Sequence, residues 1–510
     1  MGIGGSGGTG SSGSGTTAPP PQWIEGVFAP ASTFAARCEM PRAGFDADGR
    51  RFSDQPGSLL HEKHWLRSFS HELYLWFDEI IDQDPALFGS TADYFEVLKT
   101  LERLPTGRPK DNFHFSIASD EWQQQSQSGV RAGYGARWVV LASRVPRDVV
   151  VAFSEPDTPA SSSGLIRGTR VLEVDGVDVL NATSQAEVAI INEAIFGPAP
   201  GSSHTFTLAL PDGSETIVTM TAGNFASSPV QNIRFIASAV GKVGYFTFND
   251  HIGPAEQQLI DAVRTLRDEG ISDLVLDLRY NGGGFLTIAS QLAYMIAGSQ
   301  ATAGRAFETL RFNSKHPTLN PVTGESLDPV PFRSTTAGFS ALPAGQPLPQ
   351  LGLSRLVVLT GGNTCSASET IINSLRGIDL EVIQIGARTC GKPYGTYPTD
   401  NCGTTWFTTM FQGINDAGFG DYPDGFSPAG TTGIVGVTLP GCSVSDDFSR
   451  PLGDSQEARL AAGLAFLETG TCPSAPATAA PGRARLGSDE LPGEGEMPGP
   501  EWLRNRILLP

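Results

Sequence analysis

Ser366 and Lys392 are the two residues whose types and surroundings could do chemistry together. Ser366 lies in TGGNTCSASET, where the apolar run 356–360 gives way to a glycine-containing turn and then to a helical pattern. A serine at a strand-to-helix turn exposes its side chain. The backbone N–H groups of the first helical turn lack internal partners and can bind a developing anion. Lys392 closes GARTCGK behind a second apolar run, 382–385. A serine hydroxyl is a weak nucleophile and needs an adjacent base, and a lysine can be that base only as the neutral amine. Since a free lysine titrates at about 10.4, the site must depress it through burial or neighbouring positive charge.

A third stretch, Arg279 to Gly284 (RYNGGG), follows the apolar run 274–278 and precedes a helical pattern. Backbone N–H groups of such a turn can point into a site at the strand ends, the usual ligand position in open α/β sheets. The segment Gly386 to Lys392 also comes within one residue of a phosphate-binding loop. Pro393 stands where Ser or Thr would hold magnesium, and PYGTYP cannot begin the helix whose dipole cradles phosphate. Nucleotide binding is therefore set aside. In the helical stretch 58–81, His61-Glu62-Lys63-His64 has its histidines three apart rather than four, so it is read as a pair of solvated helix-face histidines, not a zinc site.

These residues need elements to hold them. Apolar runs at 243–248, 274–278, 356–360 and 382–385 alternate with helical patterns, one opened by Pro254 and ended by Gly270, others through Met295, from Ser366 and over 455–467. That alternation predicts a mainly parallel sheet with covering helices. Residues 301–349, rich in Pro, Gly and Thr, read as an inserted loop region. Upstream, Trp65, Phe69, Leu73, Trp76 and Ile80 recur at helical spacing over 58–81, and Ser90 with Asp93 marks the start of a second helix. Together they predict a helical N-terminal region, 23–125. Residues 133–222 show short β-rich runs, a helix over 185–196 and a hairpin around Asp212-Gly213. Their order resembles a PDZ-like module, which would bind an extended peptide as an added strand.

The ends differ. Residues 1–22 (GIGGSGGTGSSGSGTTAPPP and its flanks) have the composition of a flexible tether, as found just after a lipid-modified or cleaved N-terminus, and 473–510 read as a disordered tail. An exported, periplasmic or cell-envelope protein is the expectation, with a signal upstream of Met1. No apolar run reaches the ~18 residues of a membrane span. With 35 Lys+Arg against 54 Asp+Glu, net −19, and no basic cluster, nucleic acid is excluded as a partner. Six cysteines without metal spacing allow three disulfides, with Cys402–Cys442 as the first expectation.

The ordered set of PDZ-like module, LDLRYNGGG, SASE and GK resembles the carboxyl-terminal processing (tail-specific) serine peptidases over residues 110–467. The resemblance implies a multidomain α/β protein: a helical N-terminal cap, a β-rich PDZ-like module and a core of the ClpP/crotonase-like kind at 230–472. It implies a serine endopeptidase without metal or cofactor. Ser366 would be the nucleophile, Lys392 the general base, Gly283 and Ala367 the backbone oxyanion donors, and Glu369 a supporting residue. The substrate would be a protein recognised near its C-terminus. Cys365 and Cys390 flank the two candidates, and Thr396 stands where many members place a glutamine that orients the lysine. His114, in KDNFHFS, is the rival base, since the tricorn-type branch uses a histidine at a comparable place. A catalytically silent peptide-binding protein and an acyl-CoA enzyme of the crotonase kind are the other readings, and neither needs Ser366 to react.

Overall fold

The computed structural model describes residues 20–473 except 47–48, 340–341 and 432, and in addition the backbone of Arg506–Leu508. Most of the expected tether and tail lies outside the described residues. Arg506–Leu508 forms a short strand parallel to Gly283–Phe285.

The centre is a six-stranded sheet. Its strands are β1 (Val230–Ser238), β2 (Gly241–Phe248), β3 (Asp273–Asp277), β4 (Arg355–Thr360), β5 (Glu381–Gly386) and β6 (Gly441–Ser443), in that spatial order. β1 and β2 are antiparallel, and every later pairing is parallel. Parallel strands need crossovers. Here α1 (Ala255–Asp268) joins β2 to β3, α2 (Leu286–Thr302) follows β3, and α3 (Ala367–Gly377) joins β4 to β5. The last helix, α4 (Ala458–Thr469), returns after β6.

Side chains alternate across a strand, so neighbouring residues serve opposite layers. Leu274, Leu276, Leu356 and Val358 pack against Leu259, Val263, Leu292, Ile371 and Leu375 on the face covered by α1, α2 and α3. Val275, Val357, Leu359 and Ile385 face the other way, onto Leu460 and Leu467 of α4. With both faces covered, the strands read as unbroken apolar runs. Each such side chain contributes about 1.5–3 kcal/mol by leaving water.

The predicted core elements match within a few residues, but the inserted region does not stay loose. Ala306–Phe312 is a strand paired with Phe411–Ile414, and the Glu256 carboxylate accepts hydrogen bonds from the Gly338 and Phe339 N–H groups at 3.2 and 2.9 Å. Proline and glycine there mark turns between tied-down pieces. The long N-terminal helix stops early, at Leu59–Leu73, because Tyr74 and Leu75 are engaged elsewhere: the Tyr74 hydroxyl donates to Asp111 (2.8 Å) and the Leu75 N–H to Thr409 O (2.8 Å). Its aromatic face joins the main core beside Trp406 and Phe407, and Phe115–Ala118 pairs with Thr404–Phe407. His61 and His64 are buried, not solvated, at 4% and 3% exposure, because that helix faces protein on most sides.

Residues 130–226 form a second unit with its own core of Val149, Val151, Val171, Ile191, Phe206 and Leu208. Val130–Gly133 pairs with Gly223–Ala226 and closes it off, while the helix Gln185–Phe196 and the hairpin at residues 211–214 fall where the sequence placed them. Arg167 crosses to the central domain, donating to the Tyr280 hydroxyl (2.7 Å) and to Asp446 (2.6 Å).

The disulfide expectation is corrected. Cys402 bonds to Cys38 and Cys442 to Cys472, with Cα separations of 5.3 and 5.5 Å, and Cys365 bonds to Cys390 at 5.1 Å. Cys442 sits on β6, where α4 brings Cys472 back beside it. Cys402 lies in the turn after Thr399–Asn401, against the N-terminal segment. The partners are set by which elements pack together, not by nearness in sequence.

Candidate active site

The C-terminal ends of β3, β4 and β5 are neighbours, with Asp277 opposite Leu359 and Thr360 opposite Gly386. Each carries one candidate. RYNGGG leaves β3, the serine turn leaves β4, and the lysine loop leaves β5, so one edge of the sheet gathers all three.

Ser366 occupies the position before α3 with φ 62° and ψ −121°. A non-glycine residue at positive φ is strained by its Cβ, a cost of order 1–3 kcal/mol, and such residues cluster at functional sites. The Ser366 Oγ is fully buried and has no hydrogen-bond partner among the described residues. A buried hydroxyl so placed, at a helix N-terminus, has the position a nucleophile would need. Ala367 follows it as the first residue of α3, where N–H groups are unsatisfied by the helix itself.

Glu369, on the first turn of α3, organises the rest. Its Oε2 accepts from the Ser366 N–H (3.0 Å) and the Lys392 N–H (2.8 Å), and its Oε1 from the Gly391 N–H (2.8 Å) and the Thr389 hydroxyl (2.5 Å). One carboxylate thus holds the serine turn and the lysine loop together. Burial pushes this carboxyl above its ordinary value, while the hydrogen bonds from Thr389, Lys392, Gly391 and Ser366 oppose that shift.

Lys392 is 2% exposed, and its Nζ lies 5.0 Å from the Phe113 ring centroid. Burial withholds the water that an ammonium prefers, while the face of the Phe113 ring attracts the charged form. Asp111, also buried, is within electrostatic reach of Lys392 and accepts from Tyr74 and the Phe113 N–H. Thr396 is buried with an unpartnered Oγ1 among the described residues, so it supplies no visible hydrogen bond to the lysine.

His114 is held elsewhere. Its Nε2 meets Phe95 O at 2.9 Å, its Nδ1 meets the Thr408 hydroxyl at 3.3 Å, and its ring stacks on Phe95 at 3.6 Å. Burial drives its pKa well below the usual range. Both ring nitrogens are engaged away from Ser366.

The glycine turn holds a feature that the motif did not reveal. The Gly283 N–H donates to the Asn281 side-chain oxygen at 2.9 Å, and that same oxygen meets His251 Nδ1 at 3.0 Å. His251 is 1% exposed, its pKa is lowered to about 4 by burial, and its Nε2 is unpartnered among the described residues. Gly283 therefore reaches an oxyanion only by exchanging Asn281 for it. No short-range pattern linked His251 to this turn, because the contact depends on β2 and β3 lying side by side.

Beneath the turn lies a buried ionic cluster. Arg279 pairs with Asp277, Asp446 and Glu457, with the guanidinium 1% exposed. Glu457 also caps α4 by accepting from the Leu460 N–H, so the arginine of LDLR ties the glycine turn to the last helix.

Residues 242–401 match the model of peptidase family S41. A carboxyl-terminal-processing protease of Picosynechococcus sp. is 26% identical over 269 residues, covering 52% of this chain and 56% of that protein. A chloroplastic C-terminal processing peptidase of Tetradesmus obliquus is 28% identical over 260 residues, 48% of either chain. The chain thus spans about half the length of these curated relatives. Among solved structures, a Bacteroides fragilis protein named for the S41 proteases superposes with a TM-score of 0.58 at 21% identity, covering 80% of this chain and 97% of that one. At that identity the likeness is one of fold.

Proposed function

Starting from a chain whose residues 242–401 match the model of peptidase family S41, we propose that the protein is a serine endopeptidase of the carboxyl-terminal processing type, with Ser366 as nucleophile and Lys392 as general base. The observation that carries this reading is the Glu369 carboxylate, which fastens the backbone of Ser366 and of Lys392 to one oxygen at 3.0 and 2.8 Å. A neutral Lys392 amine takes the Ser366 Oγ proton as Oγ attacks the scissile carbonyl carbon. The resulting oxyanion is met by the Ala367 N–H and by Gly283 once Asn281 gives way. Lys392 then returns the proton to the departing amine, leaving an acyl-serine that water hydrolyses by the same steps.

The unit 130–226 is read as the PDZ-like module. It would receive the C-terminal end of a protein substrate as an added strand. The three disulfides favour an oxidising compartment, hence an exported or cell-envelope protein. His114 is disfavoured as base because Phe95 and Thr408 occupy its nitrogens.

The test compares Ser366→Ala, Lys392→Ala and His114→Ala in a peptide-cleavage assay, with fluorophosphonate labelling of Ser366. Cleavage is expected to vanish in the first two and to persist in the third. Full activity in Lys392→Ala would overturn the dyad, and wild-type protein that neither cleaves nor labels would favour the silent binding reading.

A further inference from the structure

We propose that the Cys365–Cys390 disulfide is a positioning element of the Ser366/Lys392 pair, and that its reduction by a thiol switches the site off. The proposal rests on the reading of Ser366 and Lys392 given above. Its basis is placement. One half-cystine immediately precedes the nucleophile and the other stands two residues before the base, so the bond spans directly between the turn after β4 and the loop after β5. Hydrogen bonds also join these segments, directly from the Cys390 N–H to Thr364 O and through the Glu369 carboxylate.

Cys365 also reaches the third part of the site. Its N–H donates to Asn281 O at 3.1 Å, on the glycine turn, while the Cys390 N–H donates to Thr364 O at 3.0 Å. The half-cystines therefore sit where the three loops meet. The other two disulfides lie at the margins: Cys38–Cys402 joins the N-terminal segment to a hairpin, and Cys442–Cys472 fastens the end of α4 to the edge strand β6. They staple the fold, whereas Cys365–Cys390 fixes the distance between two reacting groups. A misplacement of about 1 Å in such groups can cost 100-fold in rate.

The two half-cystines differ in exposure. Cys365 is fully buried, but Cys390 is only partly so, and an incoming thiolate would attack Cys390 Sγ. The S–S bond breaks, Cys365 leaves as a thiolate and takes up a proton, and Cys390 is held in a mixed disulfide. A second thiol attacks the reagent's sulfur, freeing the Cys390 thiol and releasing the oxidised reagent, a two-electron reduction in all. The freed Sγ atoms would lie beside the Glu369 carboxylate, all three ligand atoms being within 4.8 Å of one another. The covalent tie between the two loops is then gone.

The experiment uses the full chain, titrated with dithiothreitol in the presence of EDTA, because two thiols and a carboxylate could otherwise capture a stray metal. Opened disulfides are alkylated and assigned by mass spectrometry, and kcat, KM and thermal midpoint are measured on each population. As Cys365–Cys390 opens, kcat is expected to fall at least ~100-fold, with KM within about twofold and the fold retained. Reoxidation should restore activity. The acidic limb of the kcat/KM pH profile should move to higher pH in residual activity, as a loosened Lys392 gains water and its ammonium form is favoured. Cys365→Ala/Cys390→Ala should behave as the reduced protein, and Cys442→Ser/Cys472→Ser should keep the wild-type kcat and limb. Full kcat with an unmoved limb in protein whose Cys365 and Cys390 are shown to be reduced would overturn the proposal alone. Oxidised wild-type protein that neither cleaves peptide nor labels at Ser366 would overturn the parent reading, and this one with it.

Discussion

Glu369→Gln tests the site with the smallest change of shape. The native carboxylate accepts four hydrogen bonds, two at each oxygen, from Ser366, Lys392, Gly391 and Thr389. Glutamine keeps one oxygen and turns the other into a donor. If the new NH2 faces Ser366 and Lys392, two backbone N–H groups lose their acceptor at once. If it faces Gly391 and Thr389, the Thr389 oxygen, which already accepts from the Phe426 N–H, can accept a second bond while its rotatable proton turns elsewhere, and the Gly391 N–H is orphaned. The second orientation is cheaper. It costs about 1–3 kcal/mol for the orphaned N–H, plus about 1 kcal/mol for each bond that exchanges a charged acceptor for a neutral one. Removing a buried charge returns part of this, since burial raises the Glu369 pKa. A net loss of about 2–3 kcal/mol is expected, read as a lower urea midpoint at unchanged m-value. Because the carboxylate aligns the serine turn with the lysine loop, kcat for peptide cleavage should fall about 10- to 100-fold while KM barely moves. A glutamine variant with wild-type stability and wild-type kcat would refute the reasoning: Glu369 would then be neutral in the native protein, or the loops would be held by other means.

Three further outcomes follow from buried charge. His64, His71 and His251 each have a pKa lowered to about 4, mainly by burial. Below about pH 6.5 the unfolded chain takes up protons that the folded one refuses, so stability present above 6.5 is lost as pH falls towards 4, by as much as ~3 kcal/mol for the fully buried His251; a thermal midpoint that stays flat between pH 6.5 and 4 would contradict this. Glu308 is raised to about 8 by burial alone, so its contribution is full below about 4.5 and is lost as pH rises through 8. Glu308→Gln should therefore gain stability over wild type at pH 9 compared with pH 6, and an equal difference at both would refute it. Arg279→Met leaves Asp277, Asp446 and Glu457 buried without their cation and should cost about 3–5 kcal/mol; a change under 1 kcal/mol in urea unfolding would show that Arg459 and Arg167 already suffice.

Period and punctuation were enough to read four of the six strands of the central sheet, and missed the edge strands Val230–Ser238 and Gly441–Ser443. The strands at 243–248, 274–278, 356–360 and 382–385 are continuous apolar runs because both faces of the sheet are covered, and the turns after them carry glycine and serine because tight turns and helix starts demand those types. Such constraints are local, acting over a few residues. The same holds for the helix 185–196 and the hairpin at Asp212-Gly213. The helix expected over 58–81 failed locally for a non-local reason, since Tyr74 and Leu75 are claimed by Asp111 and Thr409.

At the site, residue types pointed to Ser366 and Lys392 with a glycine turn nearby, and the family resemblance added Glu369. Tertiary structure alone decided that Glu369 bridges the serine turn and the lysine loop, that Asn281 holds the Gly283 N–H, that His251 lies behind it and that His114 is tied up by Phe95 and Thr408. It also decided the disulfide partners, pairing Cys365 with Cys390 across the two loops and sending Cys402 to Cys38 rather than Cys442. One physical reason runs through them. Most of these hydrogen bonds and disulfides depend on distances of a few ångströms between groups tens or hundreds of residues apart, and those distances exist only once the strands and loops that carry them have packed together.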